Sequence, residues 1–213
     1  MSQLRMRVLL DENPCDVAVD SVAQAIAAAS ELAQSRGRMI VEVVVDGEAW
    51  SGEKLNSPQH AAFNAREIKF ASANPAHLVA QTFQDASEAL RTVDLLQQDA
   101  AQLLQSDQTA PALERLGEAI SIWMSVQQAL TMGLQLVQID PASVRGKDAS
   151  PLSLDDMIGE LNAHLRQMHA SLQGGDSVAL ADALMYEMPP VVLQWRELLD
   201  SLRAQLAGQR KDV

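Results

Sequence analysis

Four histidines, His60, His77, His164 and His169, and the acids near them are the side chains of this 213-residue chain best equipped to hold a metal or move a proton. Glu160 and His164 lie four apart, so on a helix they share one face and could share an ion. Di-iron carboxylate bundles need more than this: a Glu-x-x-His from each of two helices and a further glutamate from each of two others. No such set is present, and His164 stands beside a leucine stripe, the position of a helix rim. Asp155-Asp156 reads as acid at a helix N-terminus, complementing its dipole. Glycine-rich phosphate loops, Gly-x-Ser-x-Gly elbows and His-Glu-x-x-His pairs are all missing from the sequence. Cys15 is the single cysteine, which rules out an intramolecular disulfide and suits a reducing compartment. The expectation is therefore no catalytic residue, no metal and no cofactor.

What remains is interaction chemistry, concentrated in "MYEMPPVVLQW". Met185, Tyr186, Met188, Pro189, Pro190 and Trp195 gather two flexible thioethers and two amphipathic rings around a point where a helix should break. Methionine and aromatics are the composition of adaptable binding surfaces. These six are the candidate partner-binding residues.

Charge narrows the partners. The formal net charge is −12, and residues 1 to 75 hold 7 Lys+Arg against 10 Asp+Glu while residues 76 to 213 hold 9 against 18. The second part carries the acidity, at −9 against −3. Nucleic-acid affinity comes largely from phosphate neutralisation, and no basic stripe is available; aromatics, at 3% of residues, provide no stacking platform. "MSQLRMRVLLDENP" has no apolar run of signal-peptide length before Asp11, and no segment approaches the ~20 apolar residues of a membrane span. The expectation is a cytoplasmic protein that binds neither membrane nor nucleic acid.

The elements that must position these residues have two periods. In the first seventy-odd residues, Leu4, Met6, Val8 and Leu10 alternate, as do Val41, Val43 and Val45, and later Ile68 and Phe70. Between the first two strands, Val22, Ile26, Ala29 and Leu32 recur at helical spacing, with a capping box at Ser21 and Gln24 and Gly37 at the end. Asp46-Gly47 is a two-residue hairpin signal that predicts a short third strand ending near Trp50. Residues 51 to 65 then form a loop before the last strand. The order is β-α-β-β-β, a small α+β domain over residues 1–73.

From Asn74, an N-cap followed by Pro75 at the first helical position, the period becomes helical. Val79, Phe83, Ala86, Leu90, Val93, Ala100 and Leu104 predict one long helix to about Gln105. Leu113, Leu116, Ile120, Trp123, Gln127, Leu130, Leu134 and Val137 predict a second, with the seven-residue repeat of a coiled-coil seam. Residues 74–139 should form a long helical hairpin and residues 140–153 a linker, a possible hinge. Ser153 with Asp156 starts a helix carrying Leu154, Ile158, Leu161, Leu165, Met168 and Leu172, ended by Gly174-Gly175. A second hairpin then spans 154–207, with a proline break at 189–190 and a tail over 208–213. The fold class is α+β, the N-terminal unit being followed by a mainly α-helical elongated bundle of two long antiparallel hairpins.

A shift of 68 residues lays Leu104 on Leu172, Leu116 on Leu184, Ile120 on Met188 and Leu130 on Leu198, a weak internal repeat of an α-hairpin. The proline pair would then interrupt a helix whose counterpart is unbroken, leaving a kink or a stop and restart. The apolar seam runs on through Leu184, Met188, Val191, Trp195, Leu198 and Leu202.

Three functions are compatible with this pattern. The first is a non-enzymatic adaptor or chaperone-like module that offers a bundle face to a protein partner or to a second copy. In composition and helix length the chain resembles the small acidic helical export chaperones of flagellar and type III secretion systems, though those do not characteristically carry such an N-terminal unit. The second is a ligand-binding or enzymatic protein with its site between the α+β unit and the bundle, near His60, His77 and the 51 to 65 loop. The third is a self-assembling structural protein using the Thr109 to Val137 seam.

Overall fold

The computed structural model describes residues 6–56, 65–145 and 152–208. It is α+β, with a five-stranded mixed sheet at the N-terminus followed by helices, and it divides into two compact units, Met1–Leu78 and Val79–Val213.

The first unit contains β1 (Arg7–Leu10), β2 (Asn13–Pro14), α1 (Val22–Gln34), β3 (Met39–Val45), β4 (Glu48–Trp50), α2 (Gly52–Asn56) and β5 (Glu67–Ala73). The sheet order is β2-β1-β5-β3-β4, with β1 and β5 parallel and the other pairs antiparallel. Its core joins Met6, Val8, Leu10, Val43, Val45, Ile68 and Phe70 to one face of α1. That face is Val22 with Ala25, Ala29 and Ala33, small side chains that let the helix approach the sheet, while Ile26 and Leu32 pack at its edges. The predicted cap forms: Ser21 Oγ accepts from Gln24 N–H, and the Gln24 amide oxygen accepts in return from Asp20 N–H at 2.8 Å.

Three features depart from the expected pattern. Val41 is not on the buried face but 50% exposed, because a β-bulge between Ile40 and Glu42 inserts it as an unpaired residue and hands its place to Ile40. The 51 to 65 stretch opens with α2 instead of a plain loop; residues 57–64, with His60, lie outside the described residues. An extra edge strand, β2, folds back on β1 through Asp11-Glu12, both at positive φ (50° and 65°). A two-residue turn of this hand favours Asn-Gly or Asp-Gly, as Asp46-Gly47 shows at φ 49° and 87° between β3 and β4. Pro14, which lacks a donor, is tolerated because β2 is an edge.

Polar anchors hold both turns. Asp46 Oδ1 accepts from the N–H groups of Arg66 and Glu67 at 2.9 and 2.8 Å, fixing the β3–β4 turn to the start of β5. Asp11 accepts from the Ser72 hydroxyl at 2.6 Å and the Ser72 N–H at 2.7 Å, and Arg38 lies 3.6 Å from it while also donating to Ser72. The Ser72 bonds, then Arg38, hold the Asp11 carboxyl below its ordinary value of 3.8.

The second unit takes in α3 (Pro75–Gln105) from Val79 onward and α4 (Thr109–Leu136), the two joined by a turn at Asp107, φ 56°. Asn74 Oδ1 accepts from His77 N–H and starts α3 as expected. A 3₁₀ turn, Pro141–Ser143, follows, and a bridge between Arg145 and Ser153 closes the linker, whose residues 146–151 lie outside the described residues. Helix α5 (Leu154–Gln173) begins on the predicted Ser153/Asp156 capping box and ends at Gly174, followed by Gly175 at φ 68°. Helix α6 (Ser177–Asp182), a π-helical turn (Ala183–Glu187) and α7 (Met188–Gly208) complete the chain.

The α3 core residues are those the spacing picked out, but the buried stripe of α4 is rotated from the expected seam. Leu116, Trp123, Leu130 and Leu134 are buried; their companions are Ala112, Ala119, Val126 and Gly133, whereas Leu113 and Ile120 are exposed and Gln127 and Val137 half-buried. Small residues face the neighbour because it comes close. A Cβ on Gly133 would stand 2.7 Å from Phe83 Cε1, and Phe83 is fully buried. On α5, Met157 is likewise buried in place of Ile158, and Leu172 is exposed.

Because its folded value is lowered, Asp11 contributes stability above about pH 3.8 that is lost as pH falls through the folded value. Acid titration of the unfolding free energy should show a loss below pH 4 that is smaller in Asp11→Asn. An unchanged acid limb would show that the Ser72 bonds do not survive in solution.

Candidate partner-binding site at the proline turn

A proline inside a helix removes one N–H and drives its ring against the carbonyl four residues back. Pro189 and Pro190 therefore act on the carbonyls of Met185 and Tyr186. The chain neither stops nor restarts there. Met188 keeps helical angles (φ −75°, ψ −36°), and its N–H donates five residues back, to the Ala183 carbonyl. The wider π turn gives the two rings room while the chain stays helical from Ser177 to Gly208. The break expected from sequence is a π turn just before the prolines.

This continuity divides the six candidate residues. Leu184, Met188, Val191, Trp195, Leu198 and Leu202 run on as one buried stripe, so Met188 and Trp195 belong to the interior. Trp195 packs edge-to-face on Trp123, ring centroids 5.5 Å apart and planes at 82°. The two indoles thus join α4 to α7. Tyr186, 70% exposed, and Pro190 are on the surface, and Met185 and Pro189 are half-buried.

Neighbours fasten the π turn on two sides. Glu187 is held by α5: His164 Nδ1 lies 3.3 Å from Glu187 Oε2, and Gln167 Nε2 donates to Glu187 Oε1 at 3.3 Å. The Met185 sulfur lies 3.2 Å from Gln105 Nε2 at the end of α3. His164 therefore partners Glu187 across helices rather than Glu160 on its own. His77 and His169 are exposed. Among the described residues, no three His, Cys, Asp or Glu side chains gather closely enough to hold a metal ion, and no helix is long and apolar enough to cross a membrane.

One surface escaped the sequence reading. Residues 119 to 139 contain no charged side chain, and on the exposed side of α4 stand Met124, Met132 and Leu136. The hydroxyls of Ser121, Ser125 and Thr131 on this helix donate to carbonyls one turn back, at 2.9 to 3.0 Å, so they make little demand on outside partners. The absence of charge over about five helical turns was the available signal; the heptad count obscured it by assigning Leu113 and Ile120 to the core.

Replacing both prolines restores two donors and lets the wide turn close to an ordinary α-helical one. Pro189→Ala/Pro190→Ala should raise the unfolding free energy by about 1–3 kcal/mol in a urea titration, given the cost of proline within a helix. A fall in stability would show that the π turn rests on something other than the prolines.

No curated protein and no solved structure matches the chain. Residues 81–198, from the second turn of α3 to beyond Trp195, match the model of a family described as a domain of unknown function. The match covers more than half of the sequence, and the chain belongs to this family, DUF8042.

Proposed function

We propose that the protein is a non-enzymatic interaction module of the cytoplasm, adaptor or chaperone-like, whose helical unit is an elongated bundle of two antiparallel hairpins. Cross-helix contacts support the bundle. Asp99 pairs with Arg115 and Phe83 meets Gly133, a descending register between α3 and α4. Gln105 meets Met185 and Gln84 meets Arg203, the same relation between α3 and the last helix. The internal repeat draws support from the two hairpin turns, each with a left-handed residue after Leu-Gln, at Asp107 and at Gly175.

The observation that carries the binding role is the exposed Tyr186 on a π turn pinned from both sides. A large amphipathic ring with only two rotatable side-chain bonds, on a backbone that is already fixed, loses little entropy when a partner covers it. Met185, Pro189 and Pro190 frame it with adaptable and rigid apolar surface. The acidity of the chain and its lack of a basic stripe favour a protein partner over nucleic acid.

A second reading, self-assembly, is favoured by the charge-free face of α4. Two copies each bearing −12 repel, and this is a face on which they can meet without opposing charges.

One affinity capture distinguishes these readings, using tagged wild type, Tyr186→Ala and Met124→Lys/Met132→Lys as baits. The interaction-module reading predicts a partner whose affinity falls about 30-fold in Tyr186→Ala, the ~2 kcal/mol of a hot spot, and is unchanged in the α4 variant. Equal recovery by all three baits contradicts a role for the proline turn. Recovery of only the untagged chain, abolished by the two lysines, replaces this reading with self-assembly.

A further inference from the structure

The core of the helical unit contains polar atoms that its own packing leaves unpaired. Gln97 lies on the buried stripe of α3, 1% exposed, and its Oε1 receives no hydrogen bond from the described residues. The indole N–H groups of Trp123 and Trp195, both buried, are in the same condition. A buried donor or acceptor left unmade bears its full desolvation cost, so three in one core call for an explanation.

The contacts between helices put the residues that bear these atoms at neighbouring levels. Asp99 opposite Arg115 and Phe83 opposite Gly133 place Trp123 level with residues 91–93 of α3. Gln84 opposite Arg203 and Gln105 opposite Met185 place Trp195 level with residues 92–95. Helical side chains lean toward the N-terminus of their own helix. Gln97 therefore leans down toward that level, while the two tryptophans, on helices running the other way, lean up toward Gln97. Asp94 Oδ1 and Arg196 Nε, from the same levels of α3 and α7, are also buried and unpaired.

We propose that this layer encloses a long-lived internal water that accepts from both indole N–H groups and donates to Gln97 Oε1, locking the register of α3 against α4 and α7. Water fits because it offers two acceptor sites and two hydrogens at a single point, and buried waters typically make about three such bonds. A wholly apolar stripe can slide by a turn at little loss; a polar layer satisfied only in one alignment cannot. The inference goes beyond the interaction role and does not depend on which partner binds.

The test is water–indole cross-relaxation by NMR on the ¹⁵N-labelled full chain, with Trp50→Phe removing the third indole signal. Both Trp123 and Trp195 Hε1 should give a water cross-peak with the sign of a nanosecond or longer contact, and Gln97→Leu should abolish it. Indoles bonded directly to Gln97 would give no water cross-peak in the wild type, and that result overturns the proposal. So does a cross-peak that persists unchanged in Gln97→Leu, or in Gln97→Met where the leucine variant loses amide dispersion.

Discussion

The edge-to-face contact of Trp123 with Trp195 is the constraint around which the helical unit is arranged. These are the largest fully buried side chains among the described residues, and they come from α4 and α7. Trp195 reaches its place only if the last helix passes the two prolines without changing course. A stop and restart would free the direction of α7, and a sharp kink would lift its seam from α4. The π turn satisfies both demands, giving the rings space while Met188, Val191 and Trp195 stay on the buried stripe.

The same accommodation produces the surface that we connect with function. A π turn widens the backbone and re-aims the residues on it, which is one reason such turns recur at functional sites. Here Leu184 points to the core and Tyr186 to solvent, with Glu187 between His164 and Gln167. The interior contact and the outward tyrosine are two sides of one backbone event, so the backbone that carries the exposed ring is tied to the core.

Period and punctuation in the sequence were enough for the order of the longer elements, though not for the edge strand β2 or the short helix α2. Alternating Val8, Leu10, Ile68 and Phe70, the Asp46-Gly47 turn, the Ser21 and Ser153 caps and the Asn74-Pro75 start all act locally, within four residues, and each appears where local chemistry puts it. Hidden were the features decided by partners distant in sequence. Ala112 and Ala119 displaced Leu113 and Ile120 from the α4 seam because close packing against α3, shown by Gly133 on Phe83, selects small residues over apolar bulk. The Val41 bulge depends on pairing with β5. The Asp11-Glu12 turn lacks glycine and is held by Ser72, 61 residues away. Of the six candidate residues, the division was hidden: Met188 and Trp195 face inward and Tyr186 outward, and Glu187, which fixes the turn, carries no local signal because its partners lie on another helix.

The most direct measurement is a double-mutant cycle of Trp123→Leu and Trp195→Leu, read by urea unfolding of the full chain. Continuity of the last helix through the prolines predicts that the two losses are not additive, with a coupling of about 0.5–1.5 kcal/mol for an edge-to-face aromatic pair. Additive losses, with coupling indistinguishable from zero, would mean that the two indoles do not meet, and would contradict the account of the π turn built on their contact.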